Sequence, residues 1–140
     1  KALKHCSIRA FLKDPANHEL ADGLFDKKHH QFVAKIRKYL KRQFKKEISY
    51  GIGAKLLSTY IKNAFVLSGF VKTPLAHVAH PPIDSILLKN IDKELQIDLS
   101  TKYKWTLLTE KKYKELIKKL RGLAGQEAFW KMEKYWDPVV

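Results

Sequence analysis

The chain of 140 residues carries 28 Lys and Arg against 14 Asp and Glu, a formal net charge of +14 at pH 7. This length favours a single domain, and 45% hydrophobic residues are enough for a buried core, which excludes a disordered basic tail. The lone Cys6 excludes a disulfide-linked scaffold, and the absence of an apolar run of about 20 residues excludes a transmembrane helix.

The amino terminus shows no signal-peptide pattern, so we expect an intracellular, cytoplasmic protein with no membrane partner. The chain begins with Lys1 rather than Met, and we therefore expect a fragment or a processed form of a longer product. Residues 1–140 are expected to form one helical domain.

Helical spacing of apolar residues dominates the first half of the chain. Asp14 followed by Pro15 predicts an N-cap and a short helix that ends near Leu24. An amphipathic helix is predicted over 28–46, with basic side chains opposite its apolar face. A more apolar helix is predicted over 53–68, and its apolar residues on several faces indicate the most enclosed position in the domain.

The second half shows the same period with clearer breaks. Three prolines within 69–82 predict a loop, after which a helix is predicted over 83–95. Residues 103–108 are expected to be a short extended piece or a loop. Thr109 is expected to cap a further helix that Gly122 and Gly125 interrupt, and residues 129–136 are expected to form a last aromatic helical turn. The predicted fold class is all-α, a single compact bundle of five to six helices.

The positive charge is concentrated in two segments. Residues 27–46 contain nine basic residues and no acidic ones, whereas residues 51–100 are nearly neutral with five basic and four acidic side chains. The candidate nucleic-acid-binding residues on the helix over 28–46 are Lys35, Lys38, Lys41, Arg42 and Lys45. Such a face attracts phosphate by releasing counterions. Since Lys outnumbers Arg by 24 to 4, a compositional bias towards lysine explains the charge equally well.

A Gly-Ile-Gly segment follows the basic helix. Gly51 and Gly53 allow a tight backbone turn, and free N–H groups at the start of the next helix can hold a phosphate. The alternative is a pair of glycines that merely joins two packed helices.

This segment, with Lys55 two residues after the second glycine, resembles the hairpin of helix-hairpin-helix DNA-binding proteins. It is most similar to the glycosylase branch of that superfamily, which excises damaged bases. The resemblance covers residues 44–92 and implies a helix-hairpin-helix-like turn near residues 50–55, with Gly51 and Gly53 gripping the DNA backbone. It also implies a catalytic lysine at Lys55 and a catalytic aspartate at Asp84, which follows Pro81-Pro82-Ile83 at the start of a helix.

The chemistry explains why such a pair matters. An unprotonated lysine amine can attack the sugar carbon and form a Schiff base, and a nearby aspartate can stabilise the positive charge that develops as the base departs. The base must first rotate out of the duplex into a pocket, for which Tyr60, Phe65, Tyr103 and Trp105 are candidates as well as core residues. Asp84 is alternatively a helix cap, and Lys55 a solvated lysine.

Other chemistries have little support. His77 and His80 are three residues apart, a spacing that fits metal ligands only if the stretch is helical, and the adjacent His29 and His30 point in different directions. No four-cysteine cluster is present, and we expect neither a metal nor a cofactor. A lone cysteine near a terminus, Cys6, is expected to be incidental.

Two functions remain, beside a third interpretation in which the lysine-rich surface is merely solvated and has no nucleic-acid role. The first is a DNA-binding protein with glycosylase or lyase chemistry, which contacts mainly the DNA backbone. The second is a non-catalytic basic module that binds nucleic acid or an acidic protein.

Overall fold

The computed structural model describes residues 1–136, and helices without strands account for its regular structure in that range. The α-helices are α1 (Ala2–His5), α2 (Ile8–Lys13), α3 (Asp22–Phe44), α4 (Tyr50–Ile61), α5 (Pro74–Val78), α6 (Ser85–Leu95) and α7 (Glu110–Ala124). Short 3₁₀ turns lie at Pro15–Glu19, Trp105–Leu107 and Phe129–Tyr135. The predicted all-α bundle is confirmed.

Side-chain caps set the start of three of the longer helices. Ser49 Oγ accepts the N–H of Ile52 at 3.2 Å at the start of α4, and Thr109 Oγ1 accepts the N–H of Lys112 at 3.2 Å at the start of α7. The predicted Thr109 cap is therefore confirmed. The third is the Asp84 cap of α6, which belongs to the candidate site. Each cap satisfies an N–H group that the helix cannot bond internally.

The predicted boundary between the first two helices is wrong. Asp14 does cap a turn, accepting the N–H of Ala16 at 3.0 Å, but this 3₁₀ turn ends at Glu19 and α3 begins at Asp22 instead of residue 28. The turn is tied back to α2 by the His18 ring, which lies 2.7 Å from the carbonyl oxygen of Leu12. The non-helical residues Leu20 and Ala21 separate the turn from α3.

The region after α4 also differs from the prediction. The chain continues beyond Ile61 in wider π-type turns to Phe70 and leaves helical geometry at Ser68 and Gly69, where Gly69 has φ +109°. The predicted loop over 69–82 contains α5, which Thr73 caps and which has Pro74 in its first turn. Proline is well tolerated there because the first N–H groups of a helix have no internal partner. Across residues 1–136, no helix combines the length and the apolarity that crossing a membrane requires.

The core forms around α4, which packs most extensively against α3. Ala54, Leu57 and Ile61 of α4 are almost fully buried, in agreement with the enclosed position predicted for this helix. From α3, Phe25, Val33 and Ile36 pack into the same core; α6 and α7 close it with Leu87, Leu88, Leu116 and Leu120. Because α4 is enclosed, the residues at its amino-terminal end are held in fixed positions.

Candidate active site

Lys55 and Asp84 meet where α4 lies beside the start of α6. The Nζ atom of Lys55, in the second turn of α4, lies 3.1 Å from Oδ2 of Asp84. The side chains are 32% and 13% exposed, so the ion pair is partly buried and still open to solvent on the lysine side. The structure thus brings the two predicted catalytic side chains into direct contact.

Asp84 is held by hydrogen bonds to both of its oxygens. Residues 79–84 are buried and non-helical, and they deliver Asp84 to the N-cap position of α6. There Oδ1 accepts the N–H of Leu87 at 2.9 Å, while Oδ2 accepts hydrogen bonds from Lys55 and from Nε1 of Trp136 at 3.2 Å. The cap and the contact with Lys55 are therefore properties of the same carboxylate, divided between its two oxygens.

Lys55 also contacts an aromatic ring. Its Nζ atom lies 4.6 Å from the ring centroid of Trp105, in the 3₁₀ turn before α7. An aromatic face attracts an ammonium group electrostatically, so Trp105 and Asp84 together fix the position of the amine. A protonated amine has no free electron pair, and Asp84 is the adjacent group that can accept its proton.

A cavity of about 600 Å³ opens beside the amine. Its walls are mainly apolar, and Trp105 is one of them; the polar lining groups are Lys55, Thr59 and Asn63, which follow one another at four-residue steps along α4 and its continuation. Tyr60 also lines it, whereas Phe65 and Tyr103 are buried core residues. Of the four aromatic residues that the sequence indicated as pocket or core, two therefore line this cavity.

Gly51 and Gly53 lie in the first turn of α4, and the turn between α3 and α4 is at residues 45–49. The N–H of Gly51 donates to the carbonyl of Leu108 at 3.1 Å, and the N–H of Gly53 to the carbonyl of Ser49 at 3.2 Å. Both glycines are buried. The N–H groups expected to hold a phosphate are thus already bonded inside the protein, which supports the alternative of two glycines that join packed helices.

Arg37 fixes the turn before these glycines, and sequence reasoning did not single it out. Its Nε donates to the carbonyl of Ile48 at 3.0 Å, and its side chain packs against the backbone of Gly53. Lys45 ends α3 in a left-handed conformation, with φ +51°. Arg37 is one basic residue among nine in its segment, and nothing in that pattern distinguishes it.

Four of the five predicted nucleic-acid-binding cations, Lys35, Lys38, Lys41 and Arg42, form an exposed stripe on α3. At about 100° per residue they cover roughly 120° of the helix circumference, opposite the buried face of α3, and Lys45 follows at the end of the helix. We call this set the basic stripe; it consists of Lys35, Lys38, Lys41, Arg42 and Lys45, all exposed. Lys41 pairs with Glu47 at 2.8 Å.

A buried histidine cluster lies outside the predicted site. The rings of His29 and His80 are 4.2 Å apart, and His80 contacts Asp26 Oδ1 through Nε2 at 2.7 Å and Tyr113 Oη through Nδ1 at 2.9 Å. Burial lowers the pKa of both histidines, although Asp26 raises that of His80 in part. A neutral His80 therefore donates a hydrogen bond from Nε2 to the carboxylate of Asp26, and its Nδ1 accepts a hydrogen bond from the hydroxyl group of Tyr113.

Asp26 is held ionised from a second side by Arg121 of α7, whose guanidinium contacts both carboxylate oxygens and the carbonyl of Val78. Burial raises the pKa of Asp26, but the hydrogen bonds from His80 and Arg121 outweigh that effect and hold it below the usual range. His77 is exposed and does not share an environment with His80. Within residues 1–136, no group of three or more His, Cys, Asp or Glu side chains is arranged to hold a metal ion.

Comparisons with protein-family models, curated proteins and solved structures found no match to this chain. The site is accordingly interpreted from its own geometry. Its chemical elements are a lysine amine, a carboxylate at 3.1 Å and an adjoining cavity with an aromatic wall.

Proposed function

We propose that this protein binds DNA and excises damaged bases, with Lys55 as the nucleophile and Asp84 as the carboxylate that serves it. The observation that carries the proposal is the 3.1 Å contact between Lys55 Nζ and Asp84 Oδ2 beside a cavity of about 600 Å³. A cavity of this size is within the range of small-ligand pockets and accommodates an extrahelical base.

The reaction begins with a proton transfer. Asp84 accepts a proton from the Lys55 ammonium, and the free amine attacks C1′ of the deoxyribose. The bond between C1′ and the base nitrogen breaks, its electron pair leaves with the base, and the base takes up a proton. Opening of the sugar ring then converts the C1′ adduct into a Schiff base on Lys55. Asp84 is the source of the proton that the departing base takes up, and its regenerated carboxylate stabilises the positive charge that develops at the sugar.

The walls of the cavity support this role. Trp105 and Tyr60 offer aromatic surface against which a planar base can stack, and Asn63 and Thr59 offer donors and acceptors to its edge. Since the rest of the wall is apolar, water is displaced when a base enters. Removal of water disfavours the charged ammonium form of Lys55 and so favours the proton transfer to Asp84 that frees the amine.

The basic stripe supports binding to the DNA backbone. Five exposed cations, four on one face of α3 and one at its end, neutralise phosphates without reading base edges, so binding is expected to be strong at low salt and insensitive to sequence. Because the N–H groups of Gly51 and Gly53 are bonded inside the protein, the proposal relies on these side chains for its phosphate contacts.

Base-excision assays on duplexes that contain uracil, oxidised guanine, an oxidised pyrimidine or an abasic site test the proposal. Lys55→Arg retains the positive charge but has no nucleophilic amine, so we expect at least about a 10³-fold loss of base release with DNA binding unchanged. Asp84→Asn retains a capping oxygen, and its rate of base excision is expected to fall by about 10²- to 10⁴-fold. Lys72→Arg, on an exposed lysine, is the matched control and should behave as wild type.

A second candidate is the non-catalytic basic module, which the bonded glycine N–H groups and the exposed basic stripe favour. It predicts salt-dependent binding to nucleic acid and no product from any of the four duplexes. Wild-type activity that Lys55→Arg leaves intact would contradict the proposed mechanism, and complete inactivity of the wild type would favour the module.

A further inference from the structure

A second cavity, of about 570 Å³, lies between α3 and α7 and shares no lining residue with the cavity beside Lys55. Its deeper part is formed by aromatic rings and its mouth by long charged side chains. The rings of His30 and Tyr50 are stacked at 17° with centroids 5.7 Å apart, and those of His29 and Tyr113 are nearly parallel at 6°. Stacked, flat walls favour a planar ligand.

His29, which lines this cavity, carries a buried hydrogen-bonding atom that the described part of the chain leaves unsatisfied. The residue is 1% exposed, and its Nε2 lies 3.4 Å from Oγ of Ser58. Its Nδ1 has no hydrogen-bond partner within residues 1–136. Burial and the adjacent His80 lower the pKa of His29, so its ring is neutral and offers Nδ1 as a donor or an acceptor according to the tautomer. A buried polar atom without a partner is unfavourable, so a ligand that forms a hydrogen bond to this atom would gain binding energy from a bond that the free protein does not make.

The mouth of the cavity is positive. Three exposed lysines surround it, Lys27 of α3 and Lys114 and Lys118 of α7, and Asp22 is the exposed acidic residue among the lining residues. Two further carboxylates are already engaged. Asp26 is bound by Arg121 and His80, and Glu110 at the rim pairs with Lys114 at 2.7 Å and contacts His30 at 3.4 Å. The mouth therefore favours an anionic group outside a polar, aromatic interior.

We propose that this cavity binds a nucleoside monophosphate. The base lies against the His30 and Tyr50 rings, and its edge, which carries both donors and acceptors, bonds Nδ1 of His29 in either tautomer. The phosphate lies among Lys27, Lys114 and Lys118, where its charge of about −1.5 to −2 meets the positive mouth. The site is separate from the Lys55 cavity and does not depend on base excision.

Calorimetric titration with adenosine, guanosine, cytidine and uridine 5′-monophosphates tests the site. We expect saturable binding of at least one nucleotide at one site per chain. The corresponding nucleoside and inorganic phosphate, each lacking half of the ligand, should bind at least about tenfold more weakly. Binding of phosphate alone with the same affinity would show that the ring is not recognised and would overturn the proposal.

Surface variants place the bound nucleotide. The double variant Lys27→Gln/Lys118→Gln alters only exposed side chains and should weaken binding by about tenfold. Lys72→Gln/Lys89→Gln, with the same change of charge elsewhere on the surface, should not. Lys55→Arg should leave the affinity unchanged. Loss of binding in Lys55→Arg but not in the double variant would place the nucleotide in the other cavity, and no binding by any of the four nucleotides would also overturn the proposal.

Discussion

Replacement of Gly51 by alanine measures how closely α4 approaches the segment before α7. A Cβ atom at this position would lie 2.0 Å from the carbonyl oxygen of Trp105 and 3.0 Å from Cβ of Leu108. Both neighbours belong to the 105–108 segment, whose Leu108 carbonyl accepts the Gly51 N–H at 3.1 Å. The backbone of this segment would have to retreat by more than about 1 Å, since a carbon and an oxygen atom normally remain at least about 3.2 Å apart.

The expected cost is the sum of three effects. Overpacking costs typically about 1–3 kcal/mol, and a displaced hydrogen bond about 1 kcal/mol more. Alanine returns about 1 kcal/mol because it favours helix over glycine. Because the overlap with Trp105 is severe, we expect the upper end of the range, a net loss of about 3 kcal/mol in the free energy of unfolding. For a chain of this size that lowers Tm by roughly 10 °C.

Urea and thermal unfolding of three alanine variants give the comparison. At Gly122, exposed within α7, an added Cβ meets nothing within 4 Å, so alanine should stabilise by about 0.5–1 kcal/mol. At Gly53 the added atom would lie 3.1 Å from Val33 Cγ1 and 3.2 Å from Arg37 Cγ, so its effect should fall between the other two. Equal stability of the Gly51 and Gly122 variants would show that Gly51 is not packed against Trp105.

Three further measurements address the electrostatics, the cap and the basic stripe. Stability should fall below about pH 6.5, because the pKa values of His29 and His80 are lowered in the folded protein and the unfolded chain therefore binds more protons there. It should fall further below about pH 4, because the pKa of Asp26 is also lowered and the unfolded chain takes up a proton at this carboxylate first. Urea unfolding at pH 8, 6, 4 and 3 checks this, and a flat profile would contradict the buried cluster. Asp84→Ala should be less stable than Asp84→Asn by about 1 kcal/mol, because only asparagine keeps an oxygen that can accept the Leu87 N–H. Equal stability of the two variants would show that the side chain of Asp84 does not stabilise the start of α6. Replacement of Lys35, Lys38 and Lys45 by glutamine should reduce the slope of log affinity for duplex DNA against log salt concentration by about 2 to 3. The same change at the exposed Lys72, Lys89 and Lys93 should leave this slope unchanged. Equal slopes for the two triple variants would exclude the basic stripe as the phosphate contact.

Local signals in the sequence predicted the helix class and two caps. Thr109 and Asp14 act on N–H groups two or three residues away, so the chain near them determines the outcome. The sequence does not predict the helices α1, α2 and α5, because segments of four, six and five residues are too short to show a helical period.

Contacts between residues that are distant in the sequence could be predicted only from the resemblance to a known family, and the remaining ones are seen only in the folded structure. The resemblance to glycosylases indicated Lys55 and Asp84, and the fold brings their side chains into contact. Nothing in the sequence paired Asp26 with Arg121, which are 95 residues apart, or His29 with His80. The glycine segment fits two local structures, and the choice depends on Trp105 and Leu108, which only the folded chain brings to it.

Covalent trapping identifies the nucleophile most directly. A duplex with one abasic site is incubated with the protein in the presence of borohydride, which reduces a Schiff base to a stable amine, and the cross-linked peptide is identified by mass spectrometry. We predict a single adduct on Lys55 that is absent from Lys55→Arg and present in Lys72→Arg. No adduct, or one that persists in Lys55→Arg on another lysine, would contradict nucleophilic catalysis by Lys55.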